Sequence, residues 1–600
     1  MSSSSRPLPP LTAAETRRRG EAESPLRGPW LLVLLAITAV GSVLRFLNLN
    51  PQALGGDELH AVRAILEMGL PELLYTYRPQ DGCLPLSSLY RAWVDLHLPL
   101  NEWVMRAPAL LCGVLALIVL PRMAARRLGT PTALVFAALL ATSPLLVLYS
   151  RIARSYMPVV LVAFAAVILC EHWLDTGGPQ GGSRRAAIAY VLLAGFAVYL
   201  HLVTTAFVFA PLAYAALEEI YDALRHRQSW RLAARRLAPI AALGLSVGAL
   251  MALFLVPGWE SLTELVRTKR QSTLPNLGTF AGFVQLHGGS MRVIPGFLLL
   301  FMALPGLVSI LRHPSPQRRR FGRLTVFLVL AHLGGLALLK PLMMHLPPQF
   351  ARYNLVLLPV ELLWASAGIA ALWQRGPAPP WLRRGALVAL ALALVLTHPL
   401  TRWEYRSSAF THHKDFLGFY EPLGTLQDAD VPDFYRELES LANTTPSSQR
   451  DMVLEYPWHT SWRLSRTPYV LQNRHRHPLL LAPTQPEIQE PSLSFRNLIT
   501  VPPPQAPEVF LSSEARWLVV FRDRGALEEK VQGDHRSPER GWKARGREWK
   551  VMKKAGPEMA QRLTAAWGPP HRQERDIVVW DLEELRSLNA AEVEPRRKAP

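Results

Sequence analysis

The stretch PWLLVLLAITAVGSVLRFL, residues 29–47, is apolar almost throughout and carries a single charged side chain, Arg45, near its end. As a helix it is long enough to cross roughly 30 Å of hydrocarbon. A polar segment with Arg17, Arg18 and Arg19 precedes it, and no small-residue cleavage site follows it. The run is too long for a signal-peptide core, so it reads as an uncleaved signal anchor. Similar windows recur near 106–120, 131–149, 156–173, 186–200, 203–217, 238–256, 293–311, 324–339, 354–373 and 386–399. The chain therefore reads as an α-helical integral membrane protein with about 11 transmembrane helices, followed by a C-terminal soluble α/β domain.

Composition agrees. Half of the 600 residues are hydrophobic and 18% are charged, against about 25% charged in an ordinary soluble chain. The formal charge of +19 is spread over short clusters between apolar runs, where topology needs it, and nucleic acid is not an expected partner. Cys112 and Cys170 lie in apolar windows and Cys83 in a polar loop, so the sequence offers no disulfide framework and no Cys-based metal site.

Counting alternate sides from the amino terminus puts Arg122, Arg126 and Arg127 on the same side as Arg184 and Arg185, Arg225 to Arg236, Arg312 to Arg323, and Arg375 to Arg384. By the positive-inside rule that side is the cytoplasm of a plasma (inner) membrane. Residues 1–28 form a basic cytoplasmic tail, 29–400 the membrane domain, and 401–600 a periplasmic or extracellular domain. The long loop 48–105, the turn 150–155, the tip at His201 and the segments 257–292 and 340–353 face outward with it. In the last third, Met452 to Tyr456, Trp517 to Phe521 and Ile577 to Trp580 read as buried strands, and 432–442 and 556–566 as helices.

The first outer loop opens with Gly55-Gly56-Asp57-Glu58. Leu59, Val62, Ile65 and Leu66 follow at helical spacing, which fits an amphipathic helix lying along the membrane surface. Asp57 at a helix start is either an N-cap or a carboxylate offered to chemistry at the interface. Asp81, ahead of Leu84-Pro85-Leu86 and the aromatic Tyr90 and Trp93, opens a second amphipathic stretch and carries the same two readings. Arg154, Lys340 and Arg352 are cations at outer helix ends with Tyr156 and Tyr353 beside two of them. They either snorkel to the interface or hold a phosphate through the planar donors that suit Arg to it. His201, in a turn too short to be a domain, either lines a site or is satisfied by backbone groups.

Leu44-Arg45-Phe46 leading to Asp57-Glu58 resembles the first-helix exit and acidic pair of the GT-C superfamily, in particular the family 39 protein mannosyltransferase and aminoarabinose transferase type. Five further elements resemble it in order: Asp81 to Tyr90, Arg106-Ala107-Pro108, Ser143-Pro144 through Arg154-Ser155-Tyr156, Tyr199-Leu200-His201, and Arg352-Tyr353 with Pro359. The resemblance covers about residues 29–400. It departs at Gly82-Cys83, where a basic or aromatic residue is usual, and at Pro85, single where two prolines are commoner.

The resemblance implies a glycosyltransferase using a polyprenyl-phosphate sugar donor, with an acceptor that is a lipid, glycan or protein. Asp57 would be the general base of a single inverting displacement, with Glu58 orienting it and Asp81 assisting. Arg154, Tyr156, His201, Lys340, Arg352 and Tyr353 would bind the phosphate or line the substrate site. No cofactor is expected, and no divalent metal, since Glu260, Glu264 and Asp81 form no compact ligand cluster. The alternatives are a metal-dependent oligosaccharide transferase of the same superfamily, using a diphosphate carrier, and a multi-span transporter. For a transporter only His332 and Glu361 offer ionisable groups in mid-helix, and no internal repeat is visible.

Overall fold

The computed structural model describes residues 28–47, 58–78, 83–98, 100–227, 229–270, 273–287, 293–375, 428–445, 449–458, 479–483, 508–511, 513, 515–523 and 546–588, with a few single positions besides. The amino-terminal part is helical: α1 (Pro29–Phe46), α2 (Glu58–Glu67), α3 (Leu84–Asp95), α4 (Glu102–Leu128), α5 (Thr130–Thr142), α6 (Pro144–Ser150), α7 (Tyr156–Asp175), α8 (Arg184–Leu200), α9 (Thr205–Arg225), α10 (Trp230–Leu255), α11 (Trp259–Lys269), α12 (Leu277–His287), α13 (Val293–Leu311), α14 (Pro316–Leu339), α15 (Pro347–Tyr353) and α16 (Leu358–Arg375). Among the described residues, 6 helices are long and apolar enough to cross a membrane, or up to 8 if the bent pairs α5/α6 and α15/α16 each make one span. The windows outside this count are α8, the part of α13 whose side chains are described, and 386–399. Helix α8 has 17 residues and rises about 25 Å, short of the hydrocarbon thickness; the window 386–399 lies outside the described residues.

The bends follow from local chemistry. Pro144 cannot donate to the helix before it, so α5 stops at Thr142; Ser143 then caps α6, its Oγ accepting from the Leu146 N–H at 3.5 Å. The two helices meet at 58°. At the later break α15 and α16 differ by 87°. Close packing relies on small residues: a Cβ added to Gly306 of α13 would sit 1.8 Å from the Trp364 carbonyl oxygen of α16, so these two helices approach backbone to backbone.

Three of the Arg-rich turns gather at one end of the bundle. Arg127 at the end of α4 pairs with Glu171 and Asp175 at the end of α7, Glu218 of α9 with Arg320 and Arg323 at the start of α14, and Glu219 with Arg236 of α10. The opposite end carries α2, α3, the 151–155 turn, His201, α11 and α15.

The carboxyl-terminal region is a mixed five-stranded sheet, β1 (Val453–Trp458), β2 (Leu479–Pro483), β3 (Trp517–Phe521), β4 (Arg572–Gln573) and β5 (Ile577–Asp581), in the order β2-β1-β3-β5-β4, with β1 parallel to β2 and β3 and the rest antiparallel. The period-two alternation splits its side chains. Leu454, Tyr456, Leu518, Val520, Val578 and Trp580 pack under α18 (Gly546–Trp567), with α17 (Asp433–Thr444) on the other face. On that other face Val453, Val519, Phe521, Ile577 and Val579 meet Phe434 and Tyr435 of α17 together with Ala61, Val62, Ala64 and Ile65 of α2. Of the apolar stripe read from the sequence, Val62 and Ile65 are buried in protein, against α3 and the sheet domain.

Candidate active site

Two buried arginines build the frame. Arg45, 1% exposed, turns back from the end of α1 and donates to the Ser150 Oγ at 3.1 Å and to the carbonyls of Gly41, Leu140 and Ala141. Gly113 of α4 leaves room for this, since a Cβ there would lie 2.3 Å from the Ser150 Oγ. Arg151 then donates to the Leu44 and Leu47 carbonyls, at 3.3 and 2.7 Å. The turn after α6 is thereby fixed to the exit of α1.

Glu58 opens α2 and is fully buried. Its two carboxylate oxygens accept from the Nε and Nη2 of Arg106, each at 2.9 Å, and Oε1 also accepts from the Ala153 N–H at 2.8 Å. This planar fork-to-fork pair ties the first outer loop to α4 and to the turn that carries Arg154. The two other acids singled out in the sequence, Asp57 and Asp81, lie outside the described residues.

Five of the six expected substrate-binding residues come together. Arg154, Tyr156, His201, Arg352 and Tyr353 line one cleft of about 300 Å³, with Cys83 and, from α11 and the residue after it, Lys269 and Arg270. Arg352 lies between two rings, its guanidinium carbon 5.6 Å from the Tyr156 centroid and 5.5 Å from that of Tyr353. The planar guanidinium is thereby held against two aromatic faces. Tyr353 is held in turn: its hydroxyl donates to the Leu342 carbonyl at 3.0 Å, and its own carbonyl faces the His332 Nε2 at 2.9 Å. A carbonyl only accepts, so Nε2 carries the proton of His332. That histidine, considered above for a transporter, pins the corner between α15 and α16.

The His201 ring sits 5.8 Å from Tyr156 and 6.4 Å from Tyr353. Burial and the neighbouring Arg352, His332 and Arg154 push its imidazole down to about 4, so it is neutral near pH 7. Lys340 stands apart. It closes α14 in a left-handed conformation, φ 47°, and lines an adjoining apolar groove rather than the cleft.

That groove has a volume of about 1040 Å³ and runs between α9, α10, α11 and α14, with walls such as Phe209, Met251, Leu255, Leu262 and Leu338. It shares Leu202, Val266, Arg270 and Leu339 with the cleft, so the two adjoin. Helix α11 separates them. It is fixed at its start, where the Gly258 Cβ position lies 1.8 Å from the Tyr75 carbonyl oxygen, and the Ser261 Oγ accepts from the Tyr77 N–H at 3.0 Å. At its end Arg270 pairs by backbone with Pro341. Lys269 and Arg270 were missed in the sequence; the signal for them was the presence of Arg267, Lys269 and Arg270 in an outer segment, against the positive-inside trend. Four cations thus line the cleft and, among the described residues, no carboxylate does.

Residues 89–243 match the family model for dolichyl-phosphate-mannose-protein mannosyltransferases. Among solved structures, the chain is similar to ArnT from Cupriavidus metallidurans bound to undecaprenyl phosphate, at 14% identity and TM-score 0.41, covering 92% of this chain and 97% of that one. It is also similar to the archaeal oligosaccharyltransferase AglB from Archaeoglobus fulgidus in complex with an inhibitory peptide and a dolichol-phosphate, at 12% identity and TM-score 0.42, covering 89% and 72%. No curated protein matches the chain. The family match supports the superfamily read from the sequence, the GT-C class of membrane glycosyltransferases.

Proposed function

We propose that this protein transfers a hexosyl or pentosyl unit from a polyprenyl-phosphate carrier to a lipid, glycan or protein acceptor on the extracytoplasmic face of the membrane. The observation that carries the reading is a cleft lined, among the described residues, by four cations and no carboxylate, next to an apolar groove that shares Leu202, Val266, Arg270 and Leu339 with it. A ligand that fits both needs an anionic head and a long hydrocarbon tail, which is the chemistry of a polyprenyl phosphate. The family model matched by residues 89–243 is named for such a donor.

In this reading the tail lies in the groove, with Lys340 at its rim, and Arg154, Arg352, Lys269 and Arg270 hold the phosphate. Nucleotide sugars are absent outside the cytoplasm, so the carrier must bring the sugar. The phosphate is a good leaving group and needs no strong acid, whereas the acceptor hydroxyl needs a base. Asp57 takes that proton as the hydroxyl oxygen attacks the anomeric carbon; the bond from that carbon to the phosphate oxygen breaks, and the configuration inverts. Glu58 fixes the start of α2, and Asp81 positions the acceptor. Purified protein incubated with a labelled polyprenyl-phosphate sugar and a membrane extract tests this directly. Label appearing in an acceptor supports it; uptake only into sealed vesicles would replace it with a transporter.

Two further expectations follow from the same reading. Transfer survives chelation by EDTA, because charge on the departing phosphate is met by cationic side chains. Complete loss, with rescue by magnesium or manganese, would move the assignment to a diphosphate-carrier oligosaccharide transferase. The amino terminus is cytoplasmic and the domain after residue 400 is outside. A phosphatase fused after Leu400 is therefore active, and activity of a cytoplasmic reporter at the same point would reverse the topology.

A further inference from the structure

We propose that His332 of α14 is a positioning residue for the donor phosphate: from outside the cleft it fixes the Tyr353 backbone, and through it the place of Arg352. This rests on the carrier reading above and deepens it. His332 is fully buried and is not among the residues that line the cleft. It reaches the cleft through one hydrogen bond, its Nε2–H donating to the Tyr353 carbonyl at 2.9 Å. That carbonyl lies where α15 ends and the chain swings by 87° into α16. The last carbonyls of a helix need donors from outside it. The amides that follow go elsewhere: the Leu355 N–H to Arg352 at 3.4 Å, that of Leu357 to Asn354 at 2.8 Å, and that of Leu358 to Leu355 at 3.2 Å. The imidazole supplies the donor that the chain itself does not.

The ring is itself held in place. Phe207 of α9 meets it edge-on, with centroids 6.1 Å apart and planes at 88°. A Cβ added to Gly335, one turn further along α14, would sit 2.6 Å from the Ala206 Cβ of α9, so the two helices are pressed together beside it. The His332 Nδ1 is buried and has no hydrogen-bond partner among the described residues. An apolar side chain at this place would avoid the cost of that unpaired nitrogen, so the donated Nε2–H is what the histidine contributes. Tyr353 is then gripped twice, by His332 at its carbonyl and through its hydroxyl, which donates to the Leu342 carbonyl at 3.0 Å. Arg352, the residue before it, rests with its guanidinium carbon 5.5 Å from the Tyr353 centroid and 5.6 Å from that of Tyr156. Without the donor from α14 the corner turns to find its carbonyl another partner, and the ring and the guanidinium move with it. A shift of about 1 Å is enough to loosen a binding site.

The experiment is calorimetric titration of the detergent-solubilised full chain with farnesyl phosphate, the affinity being taken per monodisperse molecule. His332→Met, which fills the space without a donor, is expected to bind about tenfold more weakly than wild type, the scale of one well-placed hydrogen bond. His332→Gln, whose amide N–H can reach the same carbonyl, is expected to stay within about twofold of wild type. Should the methionine variant not fold, His332→Asn, polar but too short to reach, takes its place with the same expected loss. A second arm repeats the exchange in an Arg352→Lys background, which keeps the charge but not the planar stack. There His332→Met should cost little more, because two residues acting through one contact are not additive. A histidine that serves the core alone would lower the folded yield and leave affinity per molecule unchanged, and that result overturns the inference. So does a glutamine variant as weak as the methionine one, or an equal loss in both backgrounds; each leaves the carrier reading in place. No binding of farnesyl phosphate by wild type would overturn the carrier reading, and this inference with it.

Discussion

Asp57→Asn is expected to lower turnover by about two orders of magnitude or more while leaving the folded yield close to wild type, because a positioned general base contributes about 10² to 10⁴ in rate. The exchange keeps the size of the side chain and much of its capacity to cap α2, but removes the basicity that the acceptor hydroxyl needs. Asp81→Asn should cost less, as expected of a residue that only positions the acceptor. If Asp57 were an N-cap alone, the pattern would invert, with about 1 kcal/mol of stability lost and near-normal turnover. The measurement is turnover per folded molecule, with monodispersity checked in detergent. A near wild-type value would take Asp57 out of the mechanism and reduce the family resemblance to one of fold.

The readable parts of the molecule were those that a solvent or a period imposes. Lipid demands long apolar runs, so ten of the windows read from the sequence fall on helices; the eleventh, 386–399, lies outside the described residues. The strands β1, β3 and β5 were legible from their short apolar runs. Strand β2, LLLAP at 479–483, was not, because it stands between basic and Pro-rich segments and its strand character comes from pairing with β1. For the site, Arg154, Tyr156, His201, Arg352 and Tyr353 were legible as cations and rings at outer helix ends, and the structure gathers them although they lie up to 199 residues apart, from Arg154 to Tyr353. What no local pattern carried was pairing across the chain. Arg45 reads as part of a motif, yet its work is to hold the 140–150 region to α1. Arg106 reads as the opening of a helix, yet its partner is 48 residues away.

That pair sets the second large effect. Glu58 and Arg106 are each 1% exposed at the side chain, with a 2.9 Å contact, so removing one partner strands a charge in a site that water does not reach. Arg106→Met is expected to cost about 3–5 kcal/mol, the range for breaking a buried ion pair. Glu58→Gln should cost less, since an amide oxygen can still accept from the Ala153 N–H at the place where Oε1 does so now, at 2.8 Å. The double exchange Glu58→Leu with Arg106→Met removes both charges and should regain much of the loss, because a buried pair is worth little against apolar groups of the same volume. It should not regain all of it: the Ala153 N–H would lose its acceptor, at about 1–3 kcal/mol. The order from most to least stable is then wild type, the double variant, and Arg106→Met alone, read as the fraction of monodisperse protein surviving a heat step in detergent. If Arg106→Met survives as well as wild type, the pair does not anchor the outer loop, and the link from Glu58 through Ala153 to the cleft carries no weight in positioning the site.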